Sequence, residues 1–376
     1  MSLFSQITLS PAEVEEWLPR LALLNLEARA SVEIVGPPGC GKSEIAFSLA
    51  KAMTEKTGNR WAMAVAHAAR YTPTDTLGFM IPRQREGGML VSSFTAPPWA
   101  HVREDDTWVF DHEYGVLVLE EFGQAEPDTK KALAELLLEG RLGPHCLPRG
   151  WFIVATSNRA QDRSGVTRDL DHVLNRITRV HMRPDPDAWE QWAVRAGVPT
   201  IVISFALRNP QIVFEGEVPK EPGPWATPRS LVRAARKLEA FMPRLADGAL
   251  DVREGLDGAL FNLIAGDIGE GAAHQLNAHM RLVTQLPSLD DVLAAPGAVD
   301  VPSRPDLQML LVYEMAAKAT PANMDKLLTY MRRLPREFAV AFAKAAVGYS
   351  PKVLLTTCMT QFVAENSVLM AAMARK

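Results

Sequence analysis

Eight consecutive residues constrain this chain more than any others. Gly36-Pro37-Pro38-Gly39-Cys40-Gly41-Lys42-Ser43 fits the pattern Gly-x-x-x-x-Gly-Lys-Ser. Such a loop turns its backbone N–H groups inward, and the positive end of the next helix adds to the attraction for phosphate. The glycines let the backbone approach closely and adopt positive φ. Lys42 is expected to reach the β- and γ-phosphates of a nucleotide, and Ser43 to ligate Mg²⁺. The bare pattern also arises by chance, so its context decides. Here the apolar stretch Ser31–Val35 precedes it and a helical pattern, Lys42 to Thr57, follows it and stops at Gly58.

The rest of the first half alternates in the same way. Residues 11–30 read as a helix, with Ser10 as cap, Pro11 in the first turn and Glu13 completing a capping box. Trp61–Ala66, Val116–Leu119 and Trp151–Ala155 read as apolar strands, and Thr129–Glu139 as a helix stopped by Gly140. Alternation of this kind predicts an α/β fold, a parallel sheet flanked by helices. Residues 72–104, rich in Pro and Gly, are too long for a simple connection and predict an insertion with its own hairpin or helix. Composition shifts at Arg183-Pro-Asp-Pro-Asp187. Helices are expected at 187–196, 200–207 and 227–242, with a Pro-rich loop at 209–226. A Leu/Ala/Met-rich helical region follows from about 251, interrupted near 296–305. The expected division is 1–183, an α/β nucleotide-binding domain; 184–250, a small helical lid; and 251–376, a helical C-terminal extension.

Two acids follow the phosphate loop in chain order. Val116-Leu-Val-Leu-Glu120-Glu121 is an apolar strand ending in carboxylates, which a parallel sheet would bring beside the loop. Glu120 is expected to hold Mg²⁺ and Glu121 to orient and activate the attacking water. The usual pair is Asp-Glu; Glu120 is one methylene longer. Phe152-Ile-Val-Ala-Thr-Ser-Asn158 is another strand with a polar end, and Asn158 is expected between the two preceding elements, within reach of a γ-phosphate or its water. Arg176 closes a predicted helix, and Arg229 opens one capped by Thr227 with Pro228 in its first turn. A cation at a helix start opposes the dipole, so an anionic ligand there would make sense of Arg229.

Taken together, the ordered set across residues 30–240 resembles the AAA+ ATPase superfamily, and within it the MoxR-like, helix-2-insert group. The resemblance implies that Gly36, Pro37, Pro38, Gly39, Cys40, Gly41, Lys42, Ser43 and Glu44 bind ATP, with Mg²⁺ at Ser43 and Glu120. It implies Lys42, Glu121, Asn158 and Arg176 as the catalytic set. Asn158 stands where sensor 1 stands, Arg229 where sensor 2 stands, and Arg176 looks like the arginine finger supplied to a neighbouring subunit. Arg168 and Arg179 compete for that last role. Tyr71–Gly78 is similar to the segment before the insert, Gly88–Trp99 to the insert itself, and Gly140–Arg149 to the hairpin before sensor 1. The family implies a ring, usually a hexamer, a protein client, and in many members a von Willebrand A domain partner. ATP is expected between the large domain and the lid.

Composition narrows the alternatives. The charged fraction is 22%, the formal net charge is −4, and no dense Lys/Arg stripe is present. Wholesale coating of nucleic acid is therefore disfavoured, although a nucleic-acid motor with a narrow basic channel stays open, with Arg83 and Arg85 as candidates. A nucleotide-binding assembly protein with weak hydrolysis is the third reading, motivated by Glu120. Cys40, Cys146 and Cys358 lack metal-ligand spacing and are odd in number, and the eight His form no ligand pattern. No secretory leader and no membrane-length apolar run is read, so a soluble cytoplasmic protein is expected. Trp99, Trp108 and Trp151 are expected as packing anchors.

Overall fold

The computed structural model describes residues 8–102, 104–162, 165–167, 177–216, 218–219, 221–245 and 250–367. The chain forms two compact units, Met1–Pro184 and Asp185–Lys376.

In the first unit the strands are β1 (Thr8–Leu9), β2 (Ser31–Val35), β3 (Ala62–His67), β4 (Met80–Gln84), β5 (Leu90–Phe94), β6 (His101–Val102), β7 (Thr107–Trp108), β8 (Tyr114–Glu120), β9 (Arg141–Leu142), β10 (His145–Cys146), β11 (Gly150–Ser157) and β12 (Thr178–Met182). The helices are α1 (Pro11–Glu27), α2 (Lys42–Thr57), α3 (Pro73–Leu77) and α4 (Pro127–Glu139). Eight strands make one sheet in the order β1-β12-β2-β11-β8-β3-β6-β7. Pairing is parallel from β1 through β3, and the last two pairs, β3–β6 and β6–β7, are antiparallel.

The sheet has a core on each face, and strand alternation assigns residues to them. Val116 and Val118 of β8 join Phe152, Val154, Val32 and Ile34 in one cluster, which includes Val14 and Leu18 of α1 and Ile45 and Leu49 of α2. Leu117 and Leu119 join Trp151, Ile153 and Ala155 in the other, with Leu133 and Leu137 of α4. Strands covered on both faces must be apolar at every position, which is why β8 and β11 read as unbroken runs. Each fully buried Val, Leu, Ile or Phe here contributes about 1.5–3 kcal/mol over exposure.

Several boundaries move. Helix α1 ends at Glu27, three residues before the expected end, with Ala28 in extended conformation as its cap. The Ser10–Glu13 capping box forms as expected. The insertion holds both a short helix, α3, and a hairpin, β4 paired with β5. Strand β12 has no counterpart among the elements expected from the sequence. Trp99 and Trp151 are buried, whereas Trp108 is partly exposed and sits edge-on to His101.

The second unit is helical among its described residues. Helices Pro186–Arg195, Thr200–Arg208 and Pro228–Phe241 and those from Gly258 to Glu365 surround one hydrophobic cluster. Among its described residues the loop at 209–226 contains one short helix, Pro210–Val213. No helix among the described residues is long and apolar enough to cross a membrane.

Candidate nucleotide-binding site

Strand β2 ends at Val35 and the chain enters the loop at Gly36, whose N–H is held by the Ser157 carbonyl at 3.2 Å. A side chain at 36 would stand 2.8 Å from the Met182 carbonyl oxygen, so only glycine fits. Gly39 and Gly41 have φ of 75° and 96°, the left-handed region that glycine occupies without a Cβ penalty. Gly41 caps α2 with no side-chain acceptor, so the first-turn N–H groups of this 16-residue helix have no capping partner from a side chain. Cradle, helix end and the hydroxyl of Ser43 together fit a bound polyphosphate with Mg²⁺.

Lys42 is nearly buried, and its ammonium is engaged. Nζ donates to the carbonyls of Gly36 and Pro37, both at 2.8 Å, and to Asn158 Oδ1 at 3.0 Å. The phosphate loop and the end of β11 are thus in direct contact. This follows from the sheet order: β11 lies between β2 and β8. The end of β11 that leads into Asn158 therefore lies between the end of β2, where the loop begins, and the end of β8, where Glu120 stands.

Glu120 ends β8, half-buried, and its Oε2 lies 3.3 Å from Nδ1 of His67, its cross-strand partner at the end of β3. Glu121 is exposed and adopts φ 55°, ψ 32°. Left-handed backbone costs a non-glycine residue roughly 1–2 kcal/mol, and such strain persists only where surroundings over-determine it. The 3-10 turn Phe122–Gln124 that follows is pinned: Gln124 N–H donates to the Glu121 carbonyl at 2.9 Å, and Thr167 N–H to the Gly123 carbonyl at 3.0 Å.

A polar group lies directly beneath. Glu33, in the middle of β2, has a side chain only 1% exposed. Its Oε2 accepts from Arg179 Nε at 2.8 Å, and its Oε1 from Ser157 Oγ at 2.6 Å. Ser157 Oγ in turn accepts from Gly123 N–H at 2.9 Å. His181, two residues beyond Arg179, has its pKa lowered by burial first and by the Arg179 charge second, with Glu33 opposing. Burial likewise pushes the Cys40 thiol up, against a smaller opposing effect of Lys42.

Of the residues singled out from the sequence, the structure brings Gly36 through Ser43, Glu120, Glu121 and Asn158 to one end of the sheet. Pro37 is buried, Pro38 is half-buried, and Glu44 is exposed in the first turn of α2. Arg179 is tied to Glu33 of its own chain. Arg168 and Arg176 lie outside the described residues. Arg229 belongs to the second unit, exposed in the first turn of the helix that Thr227 caps through Ser230 N–H. Sequence reasoning missed His67, Glu33, Ser157 and Gly123. A carboxylate at the centre of an otherwise apolar strand was the signal that could have found Glu33.

Residues 31–175 match the model of the AAA domain, dynein-related subfamily. Over those residues the fold is that of an AAA+ P-loop NTPase. Among solved structures, a point mutant of RuvB from Thermotoga maritima aligns over 76% of this chain and 75% of its own at 11% identity, with a TM-score of 0.38. NtrX from Brucella abortus in complex with ADP aligns over 95% of this chain and 68% of its own at 15% identity, with a TM-score of 0.32. At these values the two likenesses carry no argument about activity.

Proposed function

We propose that this protein is an ATP-hydrolysing AAA+ motor of MoxR type that assembles as a ring, usually a hexamer in that group, and remodels a protein client. The observation that carries the reading is the contact of Lys42 with Asn158 at 3.0 Å, on the strand that separates the phosphate loop from Glu120 and Glu121. Lys42 would exchange its loop carbonyls and Asn158 for phosphate oxygens, releasing the Asn158 amide toward the γ-phosphate or the attacking water. Glu121 would accept that water's proton as general base. Ser43 and Glu120 would hold Mg²⁺, whose chemistry when bound is to neutralise charge on the phosphates. His67 would keep the Glu120 carboxylate in place. Arg229 would read the nucleotide from the lid, 184–250, with 251–376 as a helical extension, and Arg176 would serve as the finger for a neighbouring site.

A protein client is favoured by the hairpin β4–β5. Phe79, Met80, Met89 and Leu90 are 60–72% exposed there, a concentration of apolar surface suited to polypeptide rather than phosphate backbone. Arg83 and Arg85, exposed on the same hairpin, favour the nucleic-acid motor as the second reading. A von Willebrand A domain protein is a partner to test.

The test is ATP turnover with Mg²⁺, with and without DNA, for the wild type, Lys42→Ala and Glu121→Gln. Lys42→Ala should lose both tight ATP binding and turnover. Glu121→Gln should keep binding and lose turnover by about 10²-fold or more, the scale of a general base. Normal turnover in Glu121→Gln would overturn the base assignment. Strong stimulation by DNA would replace the protein client with nucleic acid.

A further inference from the structure

We infer that Ser157, held by Glu33, is a positioning residue for the catalytic carboxylate of Glu121; the inference rests on the reading of Glu121 as the base. Three observations converge. Glu121 holds a left-handed backbone that its residue type disfavours. The turn immediately after it is anchored at Gly123 from both sides, its N–H by Ser157 Oγ and its carbonyl by Thr167 N–H. Ser157 Oγ can accept from Gly123 in a fixed direction because its own proton is committed to Glu33 Oε1 at 2.6 Å.

The spacing allows no substitute at either end. A Cβ on residue 123 would lie 2.9 Å from both Cβ and Oγ of Ser157, so the turn can seat only with glycine there. Glu33 is in turn fixed by Arg179, its register partner on β12. The chain of contacts runs Arg179, Glu33, Ser157, Gly123, crossing from β12 through β2 and β11 to the turn after β8. Its charges are satisfied, as burial requires. A sheet of this kind would be held together equally well by apolar residues; what the polar chain adds is a hydrogen bond aimed at one backbone N–H two residues from Glu121. Removing the Ser157 hydroxyl frees that N–H and lets the Glu121 backbone relax, which moves the carboxylate off the water.

The experiment is a double-mutant cycle between Ser157→Ala and Glu121→Gln, read by single-turnover and steady-state ATP hydrolysis together with equilibrium binding of a fluorescent ATP analogue. Ser157→Ala should lower kcat by about 10–100-fold, as expected for misplacement of a catalytic group by about 1 Å. Analogue affinity and KM should stay within about 2-fold. In the Glu121→Gln background the same change should have almost no further effect, because the residue acts through Glu121. Gly123→Ala, which pushes on the same turn from the other side, should give the same signature. An unchanged kcat in Ser157→Ala, or a loss repeated in full on top of Glu121→Gln, overturns the inference while leaving the ATPase reading intact. A wild-type protein that binds the analogue but never hydrolyses ATP overturns both.

Discussion

Lys42 and Cys40 illustrate how little room a phosphate loop leaves. The Lys42 ammonium makes hydrogen bonds to three oxygens, two of them carbonyls of its own loop, so the proposed phosphate binding would be an exchange of partners rather than the capture of an idle charge. Cys40 lies between, its Sγ 3.1 Å from where a Gly36 Cβ would stand. Burial keeps its thiol protonated beyond the usual thiol range, and the thiolate is the reactive form. Iodoacetamide at pH 7.5 should therefore label Cys146, which is exposed, well before Cys40. Raising the pH toward 10 should narrow the difference, and ATP should slow Cys40 again. Peptide mass spectrometry after timed quenching separates the sites; Cys40 labelling as fast as Cys146 at pH 7.5 would contradict the buried, protonated thiol. These details were not legible in the sequence, where position 40 is simply one of the variable places in the motif.

Among the elements, those buried on both faces announced themselves and those with a polar face did not. Strands β8 and β11 stand out because both sides of the sheet are apolar there, and β2 because all but Ser31 and Glu33 of its residues are apolar. Strand β12 was invisible for the opposite reason: Arg179 and His181 face Glu33 across the strand pair, leaving Val180 and Met182 as its only apolar residues. The position of Asn158 between loop and acids could be anticipated from motif order, but His67 beside Glu120 depends on strand register, which a single sequence does not encode locally. The helices of the second unit hide another such pair. His279 Nε2 lies 2.8 Å from Ser204 Oγ inside the core, and burial holds the imidazole pKa down to about 4, with Asp306 opposing and Arg208 assisting. The folded state thus favours neutral His279. Stability is fully present above the unfolded value near 6.5 and is lost as pH falls from there toward 4, because only the unfolded chain takes up the proton. The loss amounts to roughly 3 kcal/mol. Urea unfolding of the wild type and His279→Gln at pH 7.0, 5.5 and 4.5 checks this: the gap between them should shrink with acidification, and a constant gap would rule out His279 as the titrating group.

At the scale of the whole molecule, the motifs of the first unit were legible because chemistry fixes residue type and spacing there, whereas the described residues of the second unit, Arg229 apart, show chiefly helical periodicity and one large apolar core. Nothing about packing requires a given residue in such a core beyond volume and apolarity, so no function can be read from it. The proposed ring makes a further demand, that one chain completes another's site. Arg179 is committed to Glu33 within its own chain, and withdrawing it would leave a carboxylate 1% exposed without its cation, a cost of several kcal/mol. The ion pair with Glu33 counts against Arg179 as the finger; in the proposed assignment Arg176 takes that role, with Arg168 as its competitor. A finger acting in trans has two consequences. Turnover per subunit should rise with protein concentration as interfaces form, and two inactive variants should complement each other. Arg176→Ala keeps an intact phosphate loop but supplies no finger; Lys42→Ala supplies a finger but cannot hold ATP. Each alone should fall by about 10³-fold or more, the scale on which such arginines act. Mixed in equal amounts, about a quarter of the interfaces would pair a good loop with a good finger if subunits combine at random in a cyclic assembly. Activity should then return to within an order of magnitude of the wild type, and dilution should abolish it. Failure to complement, with each variant still assembling by light scattering, would move the finger to Arg168; turnover independent of concentration down to the monomer would mean that each site is complete within one chain.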